Sequence, residues 1–176
     1  MNYAEIKTND IANGEGVRTS LFVSGCRHKC KKCFNEIAWD FGYGNLFTEV
    51  TMEEIFASVD HYWINGLTLL GGEPFEPENQ KVLLPFLVMF HEKFPDKNIW
   101  CYTGFTIEQI LGKSEPKSRA LTDVSAEMLS LIDVLVDGPY VDSLHNVSLK
   151  FRGSSNQRII DVKKTLGSKK VELYME

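Results

Sequence analysis

Three cysteines in one short segment are the residues best placed to do chemistry in this sequence. Cys26, Cys30 and Cys33 lie within GCRHKCKKC, a spacing at which their thiolates can converge on one metal centre. Four cysteines would complete a structural zinc site or an electron-transfer cluster. Three leave one coordination position open, where a small molecule can bind and react. The segment therefore predicts the metal centre of an enzyme.

A glycine-rich turn forms the second chemical feature of the chain. Gly71-Gly72-Glu73-Pro74 directly follows the apolar run LTLL. Paired glycines let the backbone approach a ligand closely, and the Glu73 carboxylate can face a cation such as an amino group. Gly-Gly is also ordinary turn chemistry, so the motif gains weight from the cysteines that precede it.

Neighbouring groups leave alternatives for the metal centre open. His28, or a more distant ligand, would complete a zinc site with the three cysteines. Cys101 could be a fourth ligand, although a cysteine on an apolar strand is more often a small buried hydrophobe. The cysteine segment also carries basic side chains that would stabilise an anionic cluster or attract an acidic electron donor. These are Arg27, His28, Lys29, Lys31 and Lys32.

Apolar runs that read as strands alternate with segments that read as helices. The predicted strands are Leu21–Ser24, Leu67–Leu70, Ile99–Tyr102, Ile132–Val136, Gln157–Asp161 and, more weakly, Lys170–Tyr174. One predicted helix follows a capping box at Thr51–Glu54, and a second covers Val82–Phe94 with Pro85 as a kink or as its first turn. A third covers Thr106–Leu111, and a fourth follows Ser125.

This alternation predicts a parallel sheet of α/β class, with sites where strands end. A closed (β/α)8 barrel needs at least about 200 residues. A chain of 176 residues therefore predicts a single domain with parallel strands in an incomplete, laterally open barrel or an open sheet.

Composition narrows the function classes further. The net charge of −5 provides no basic excess for binding nucleic acid. The N-terminal MNYAEIKTND lacks the basic and apolar regions of a secretory signal, and no apolar run is long enough to span a membrane. We therefore expect a cytoplasmic protein that binds neither nucleic acid nor membrane. In that compartment thiols stay reduced, so clustered cysteines indicate metal ligands.

The motifs, taken together, resemble a known family. Cys-x3-Cys-x2-Cys after the first strand and GGEP after the second are similar to the radical S-adenosylmethionine superfamily. Five segments resemble, in order, the activating proteins of anaerobic ribonucleoside-triphosphate reductase. They are NGEGVRTSLFVSGCRHKCKKCFN, LLGGEP, IWCYTGF, IDVLVDGPY and RGSSNQR. The resemblance implies a radical S-adenosylmethionine domain over residues 1–162 and leaves residues 163–176 as an extension of unknown role.

The resemblance also implies the site. Cys26, Cys30 and Cys33 would ligate a [4Fe–4S] cluster, and the amino and carboxylate groups of S-adenosylmethionine would chelate its open iron. The glycine-rich turn would line the methionyl end of that cofactor, so that a side chain at Gly72 would block the cofactor and spare the cluster. The expected cofactor contacts are Lys32, Cys33, Phe34, Gly71, Gly72, Glu73 and Asp137.

One departure from the family's pattern limits these assignments. Many superfamily members carry an aromatic residue just before the third cysteine, whereas this chain has Lys32 there and Phe34 just after it. Asp137 matches an acidic position at a strand end, where it would contact a cation or the cofactor. The donor-rich segment Arg152–Gln157 has no assigned role beyond stabilising a loop.

The resemblance also implies the activity, that of an oxidoreductase that works by radical chemistry. One electron passed to the cofactor would give methionine and a 5′-deoxyadenosyl radical, which would abstract hydrogen from a glycine of the large reductase subunit. No protein acid or base is required. The implied partners are that subunit and an acidic electron donor such as flavodoxin. The alternatives are a formate-lyase-type activase, a small-molecule enzyme such as a deazaguanine synthase, or a non-catalytic zinc-binding interaction module.

Overall fold

The centre of the sheet consists of four parallel strands. In the computed structural model, which describes residues 1–175, these are β2 (Arg18–Val23), β4 (Gly66–Gly71), β5 (Asn98–Tyr102) and β6 (Val134–Asp137). They pair in the order β2-β4-β5-β6. Most of their side chains are buried, as is usual for strands at the centre of a parallel sheet. The prediction of a parallel α/β sheet is confirmed for this centre.

The outer strands are antiparallel, which makes the sheet mixed. They are β1 (Asn2–Asp10), β3 (Asn45–Leu46), β7 (Arg158–Asp161) and β8 (Leu173–Met175), and the full order is β3-β1-β2-β4-β5-β6-β7-β8. The prediction of parallel strands is wrong for these outer strands, and for two of the pairs the reason is topological. A parallel pair needs a long crossover, usually a helix, whereas a short loop joins β1 to β2 and no α-helix separates β6 from β7.

The helices pack on one face of the sheet and bury its main apolar core. They are α1 (Glu49–Val59), α2 (Pro77–Lys93), α3 (Ile107–Ile110), α4 (Ser125–Ser130) and α5 (Val162–Ser168). The capping box at Thr106 begins α3 as predicted. Within residues 1–175, no helix is long and apolar enough to cross a membrane.

Three predicted helix starts are displaced. Thr48, not Thr51, is the N-cap residue of α1, and Thr51 is the third helical residue of that capping box. α2 begins at Pro77, which suits the first turn because proline lacks a backbone N–H, and Pro85 lies inside the helix. Ser125 is the first residue of α4 and not its cap.

A smaller apolar cluster lies apart from the main core. It contains Trp100, Val134, Val136 and Ile159, with Tyr102, Phe151 and Met175 packed against it. The chain beyond residue 162 belongs to the same sheet, because β8 pairs with β7. Glu176, the last residue of the predicted extension, lies outside the described residues.

Candidate metal centre

The carboxyl ends of the four parallel strands surround one cavity of about 490 Å³. One wall is the segment that follows β2 and contains Cys26, Cys30 and Cys33. Another wall comes from the connection between β6 and β7, which contributes Tyr140 and Arg152 among others. The structure therefore brings the three predicted metal ligands to a single cavity, at the strand ends where the sequence places them.

A short 3₁₀ helix, Glu36–Trp39, fixes the start of the cysteine segment. The backbone N–H of Gly25 donates to the carbonyl of Ala38 at 2.8 Å, and that of Cys26 to the carbonyl of Trp39 at 3.2 Å. Gly25 has φ +96°, and a Cβ there would lie 2.3 Å from the Phe41 ring. Only glycine fits this turn, so the backbone of Cys26 is held directly against the 3₁₀ helix.

Two lysines turn the chain before the second and third cysteines. Lys29 has φ +51° and Lys32 has φ +58°, both in the left-handed region that residues with a Cβ seldom adopt. Each immediately precedes a cysteine, Cys30 or Cys33. Lys32 also pairs with Asp142 at 3.2 Å, which links the two walls of the cavity. The second and third cysteines are thus each preceded by a residue in a strained backbone conformation, and both thiols lie at the cavity.

Burial keeps two of the thiols protonated when no metal is bound. It raises the pKa of Cys26 to about 12 and also raises the pKa of Cys30. Because metal-bound cysteine is a thiolate, loading of the site must release these protons. Cys101 differs, since it is fully buried in the main core and does not line the cavity, as expected of a small hydrophobe.

The thiols do not converge on a single point. In the part of the chain that the structure describes, no group of three His, Cys, Asp or Glu side chains is arranged to hold one metal ion. A [4Fe–4S] cube makes a different demand, because each of its thiolate ligands binds a different iron. Three soft sulfur donors lining one cavity fit such a cluster in their chemistry.

Glu73 lines the cavity but is almost fully buried, and its carboxylate is fully engaged. One oxygen accepts from the Phe75 N–H and the Thr103 hydroxyl, both at 2.8 Å. The other accepts from the Gly104 N–H at 2.8 Å and lies 2.9 Å from His28 Nε2. A carboxylate has about four acceptor sites. An amino group of a cofactor would therefore have to replace one of these partners, and its contact with Glu73 stays a prediction.

Gly72 packs against the cysteine segment itself. A Cβ on Gly72 would lie 2.7 Å from the Gly25 carbonyl oxygen and 2.9 Å from that of Ala38. A larger residue would thus displace the backbone that leads to Cys26. Because its first contacts would be with this backbone, we expect such a side chain to disturb the cysteine segment as well as the cavity, which argues against the expectation that it would spare the cluster.

Asp137 is buried and belongs to an ion-pair cluster with two partly exposed side chains, and it is not among the residues lining the cavity. Its carboxylate accepts from Arg158 Nε at 2.9 Å and Nη2 at 2.5 Å, and from the Ile107 N–H at 2.8 Å. Arg158 also binds both carboxylate oxygens of Glu108. The cation that Asp137 contacts in the structure is therefore Arg158, and a cofactor contact stays a prediction.

The segment Arg152–Gln157 contributes Arg152, Gly153 and Gln157 to the lining of the cavity. The Gln157 side-chain oxygen accepts from the Gly153 N–H at 2.9 Å and the Ser154 N–H at 3.1 Å. Arg152 Nη1 donates to the Gln157 carbonyl at 2.9 Å. These bonds close the segment on itself, which gives its polar residues the loop-stabilising role expected of them.

Sequence reasoning missed Glu76, whose carboxylate binds the cysteine segment directly. The Arg27 N–H donates to it at 2.8 Å, and Arg27 and Arg119 both pair with it. Although burial opposes ionisation, the hydrogen bonds from Arg119 and Arg27 hold the pKa of Glu76 below its usual range. No local pattern marks this residue, because its partners are distant in the sequence.

Comparison with known proteins identifies the class of protein to which this chain is similar. Residues 12–160 match the family described as a 4Fe-4S single cluster domain. A relative from Haemophilus influenzae is 41% identical over 161 residues, covering 90% of this chain and 97% of the relative. One from phage T4 is 38% identical, with 90% and 93% covered, and one from Escherichia coli K12 is 36% identical, with 89% and 96% covered.

All three relatives are named anaerobic ribonucleoside-triphosphate reductase-activating protein. The chain belongs to this family.

Proposed function

We propose that the chain reductively cleaves S-adenosylmethionine at a [4Fe–4S] cluster and generates a glycyl radical on anaerobic ribonucleoside-triphosphate reductase. The observation that carries this proposal is the convergence of Cys26, Cys30 and Cys33 on one cavity at the strand ends. Family membership supports the cluster and the reductase as target. The sheet would act as the incomplete barrel of a radical S-adenosylmethionine domain spanning residues 1–162.

The cavity has the size and the polar groups expected of a cofactor site. Its volume of about 490 Å³ lies within the roughly 300–1,000 Å³ of small-molecule sites. Two residues that line it, Tyr102 and Arg152, carry buried polar atoms without hydrogen-bond partners, Oη and Nε respectively. Buried donors normally have a hydrogen-bond partner, so the lack of one at these two atoms favours a polar ligand or a water molecule nearby.

The chain's own residues would bind and orient the two groups. The three thiolates would hold the cluster, which supplies the single electron for cleavage of the cofactor. Gly71 and Gly72 let the β4 strand end pass close to the cavity, and Lys32 and Phe34 form part of its rim. Phe34 is 87% exposed, so it is free to cover the adenine of a bound cofactor.

The partners would meet the protein at the same end of the sheet. The basic side chains of the cysteine segment suit an acidic electron donor such as flavodoxin, in the cytoplasm. The sheet has free edges at β3 and β8, so the described chain forms no closed barrel. A polypeptide loop of the reductase can therefore reach the cavity, whereas a closed barrel would favour a small enclosed substrate.

The test is anaerobic reconstitution with iron and sulfide, then measurement of iron, methionine and 5′-deoxyadenosine. With the reductase added, electron paramagnetic resonance should show a glycyl radical that air destroys. Cys33→Ala should lose iron and cleavage, while the matched control Cys101→Ala should retain both. Cofactor cleavage without a glycyl radical would favour a small-molecule enzyme, and bound zinc without turnover would favour an interaction module.

A further inference from the structure

Glu76 is a fully buried carboxylate in contact with the segment that carries the cysteines. It occupies the N-cap position of α2, yet its side chain makes no capping hydrogen bond to that helix. An ionised group in the interior is unfavourable unless it is paired and hydrogen-bonded. The contacts of this carboxylate therefore indicate what it holds in place.

Its first partner is Arg27, the residue directly after Cys26. The Arg27 N–H donates to Glu76 Oε1 at 2.8 Å, and Arg27 Nη1 donates to Oε2 at 2.8 Å. The same guanidinium lies 4.3 Å from the centroid of the Phe41 ring, which packs against Gly25. One carboxylate thus fixes both the backbone and the side chain of the residue that follows the first cysteine.

Its second partner comes from the long polar loop between α3 and α4. Arg119 Nε donates to both oxygens of Glu76 at 3.1 Å. The Arg119 guanidinium lies 4.6 Å from the centroid of the Phe105 ring, and that ring packs against the His28 ring at 4.3 Å. The loop therefore reaches the cysteine segment by two routes, through Glu76 and through His28.

We propose that Glu76 is a positioning residue for the metal centre, holding Arg27 so that the Cys26 thiolate stays directed at the cluster. Arg119 completes the arrangement by pairing with the same carboxylate, which gives the polar loop a role in keeping the cluster bound. The proposal rests on the proposed function in one respect, the presence of a [4Fe–4S] cluster. It does not depend on cofactor cleavage or on the reductase.

Glu78 provides the matched control. It also pairs with Arg27, at 2.6 Å, but its side chain is 52% exposed and it has no bond to the backbone of the cysteine segment. Exposed ion pairs contribute little. Glu78→Gln and Glu76→Gln each replace a carboxylate by an amide of the same shape, so the two variants differ in the burial of the side chain and in whether it binds the backbone N–H of Arg27.

The experiment measures the rate at which an iron chelator removes the cluster from reconstituted protein. Glu76→Gln should release iron roughly tenfold faster than the wild type, the size expected when hydrogen bonds to a charged group are weakened. Glu78→Gln should match the wild type. Arg119→Gln, at a half-exposed position, should fall between them and serves if Glu76→Gln does not fold.

Two further measurements separate positioning from a merely structural role. A positioning role predicts that the electron paramagnetic resonance spectrum of the reduced cluster changes in Glu76→Gln and not in Glu78→Gln. A structural role alone would lower the melting temperature of the metal-free protein and leave that spectrum unchanged. A wild-type chain that takes up no cluster overturns the proposed function as well, whereas equal release by both glutamine variants overturns only the positioning role.

Discussion

The cysteine segment can pack closely against Gly72 because this residue has no side chain. Its φ lies outside the left-handed region, so alanine could adopt its backbone conformation, but the added Cβ would meet the carbonyls of Gly25 and Ala38. Crowding of this kind typically costs about 1–3 kcal/mol. We expect Gly72→Ala to lower both the melting temperature and the iron content after reconstitution.

Gly167 is the matched control for this substitution. It lies in α5, and a Cβ there would have no neighbour within 4 Å. Alanine in a helix is favoured over glycine by up to about 1 kcal/mol, so Gly167→Ala should leave iron binding unchanged and stability equal or higher. If Gly72→Ala binds iron and melts like the wild type, the close packing of Gly72 on the segment is wrong.

The candidate site was predictable from sequence to the extent that its members are sequence neighbours. Cys26, Cys30 and Cys33 share one segment, and their convergence on a cavity follows from that spacing. The pairing of Glu76 with Arg119, and of Asp137 with Arg158, joins residues far apart in the chain. Such contacts depend on how the strands and helices pack, which spacing alone does not determine.

At the scale of elements, Arg158 ties β7 to β6 and to α3. It binds Asp137 directly across the strand pair and Glu108 in the first turn of α3. The Arg158 hydrogen bonds lower the pKa of Glu108 from 4.5 to about 2. A group with a lowered pKa stabilises the fold fully above its ordinary pKa, and this contribution disappears as the pH falls toward the folded value.

Glu108→Gln should therefore be less stable than the wild type at pH 7, by an amount on the order of 1 kcal/mol because Glu108 is partly exposed. The difference in melting temperature should shrink between pH 4.5 and pH 2. Glu53→Gln is the control, since Glu53 pairs with Lys93 at 3.8 Å and is 72% exposed. A constant difference across this pH range would contradict the ion-pair role.

Elements with strong local signals were predicted best. The apolar runs of the central strands and the capping box at Thr106 are local, and both are confirmed. β1 was missed because most of its residues are only partly buried or exposed, so it has no apolar run. The direction of β7 was also not visible, since strand polarity depends on the connection and not on the strand's own residues.

At the scale of the whole molecule, the C-terminal strand β8 contacts the loop between β1 and β2. The Tyr174 hydroxyl in β8 donates to the Glu15 carboxylate, in the loop between β1 and β2, at 2.6 Å. The Tyr174 ring packs on Trp100 at 5.5 Å, and Arg18 lies over the same Trp100 ring at 5.5 Å while donating to the Glu15 carbonyl. The C-terminal strand, whose role the sequence left open, thus connects the last part of the sheet to the loop after its first strand.

We expect this contact to stabilise the fold without affecting the metal centre, because Tyr174 does not line the cavity that holds the cysteines. Tyr174→Phe keeps the ring on Trp100 and loses one partly exposed hydrogen bond, a loss of about 0.5–1.5 kcal/mol. Tyr174→Ala also removes the aromatic packing and should melt at a lower temperature than Tyr174→Phe. Both variants should bind as much iron as the wild type, since the strand ends that carry the cysteines keep their own contacts. Loss of iron from Tyr174→Ala at an unchanged melting temperature would instead indicate that the C-terminal strand helps to hold the metal centre.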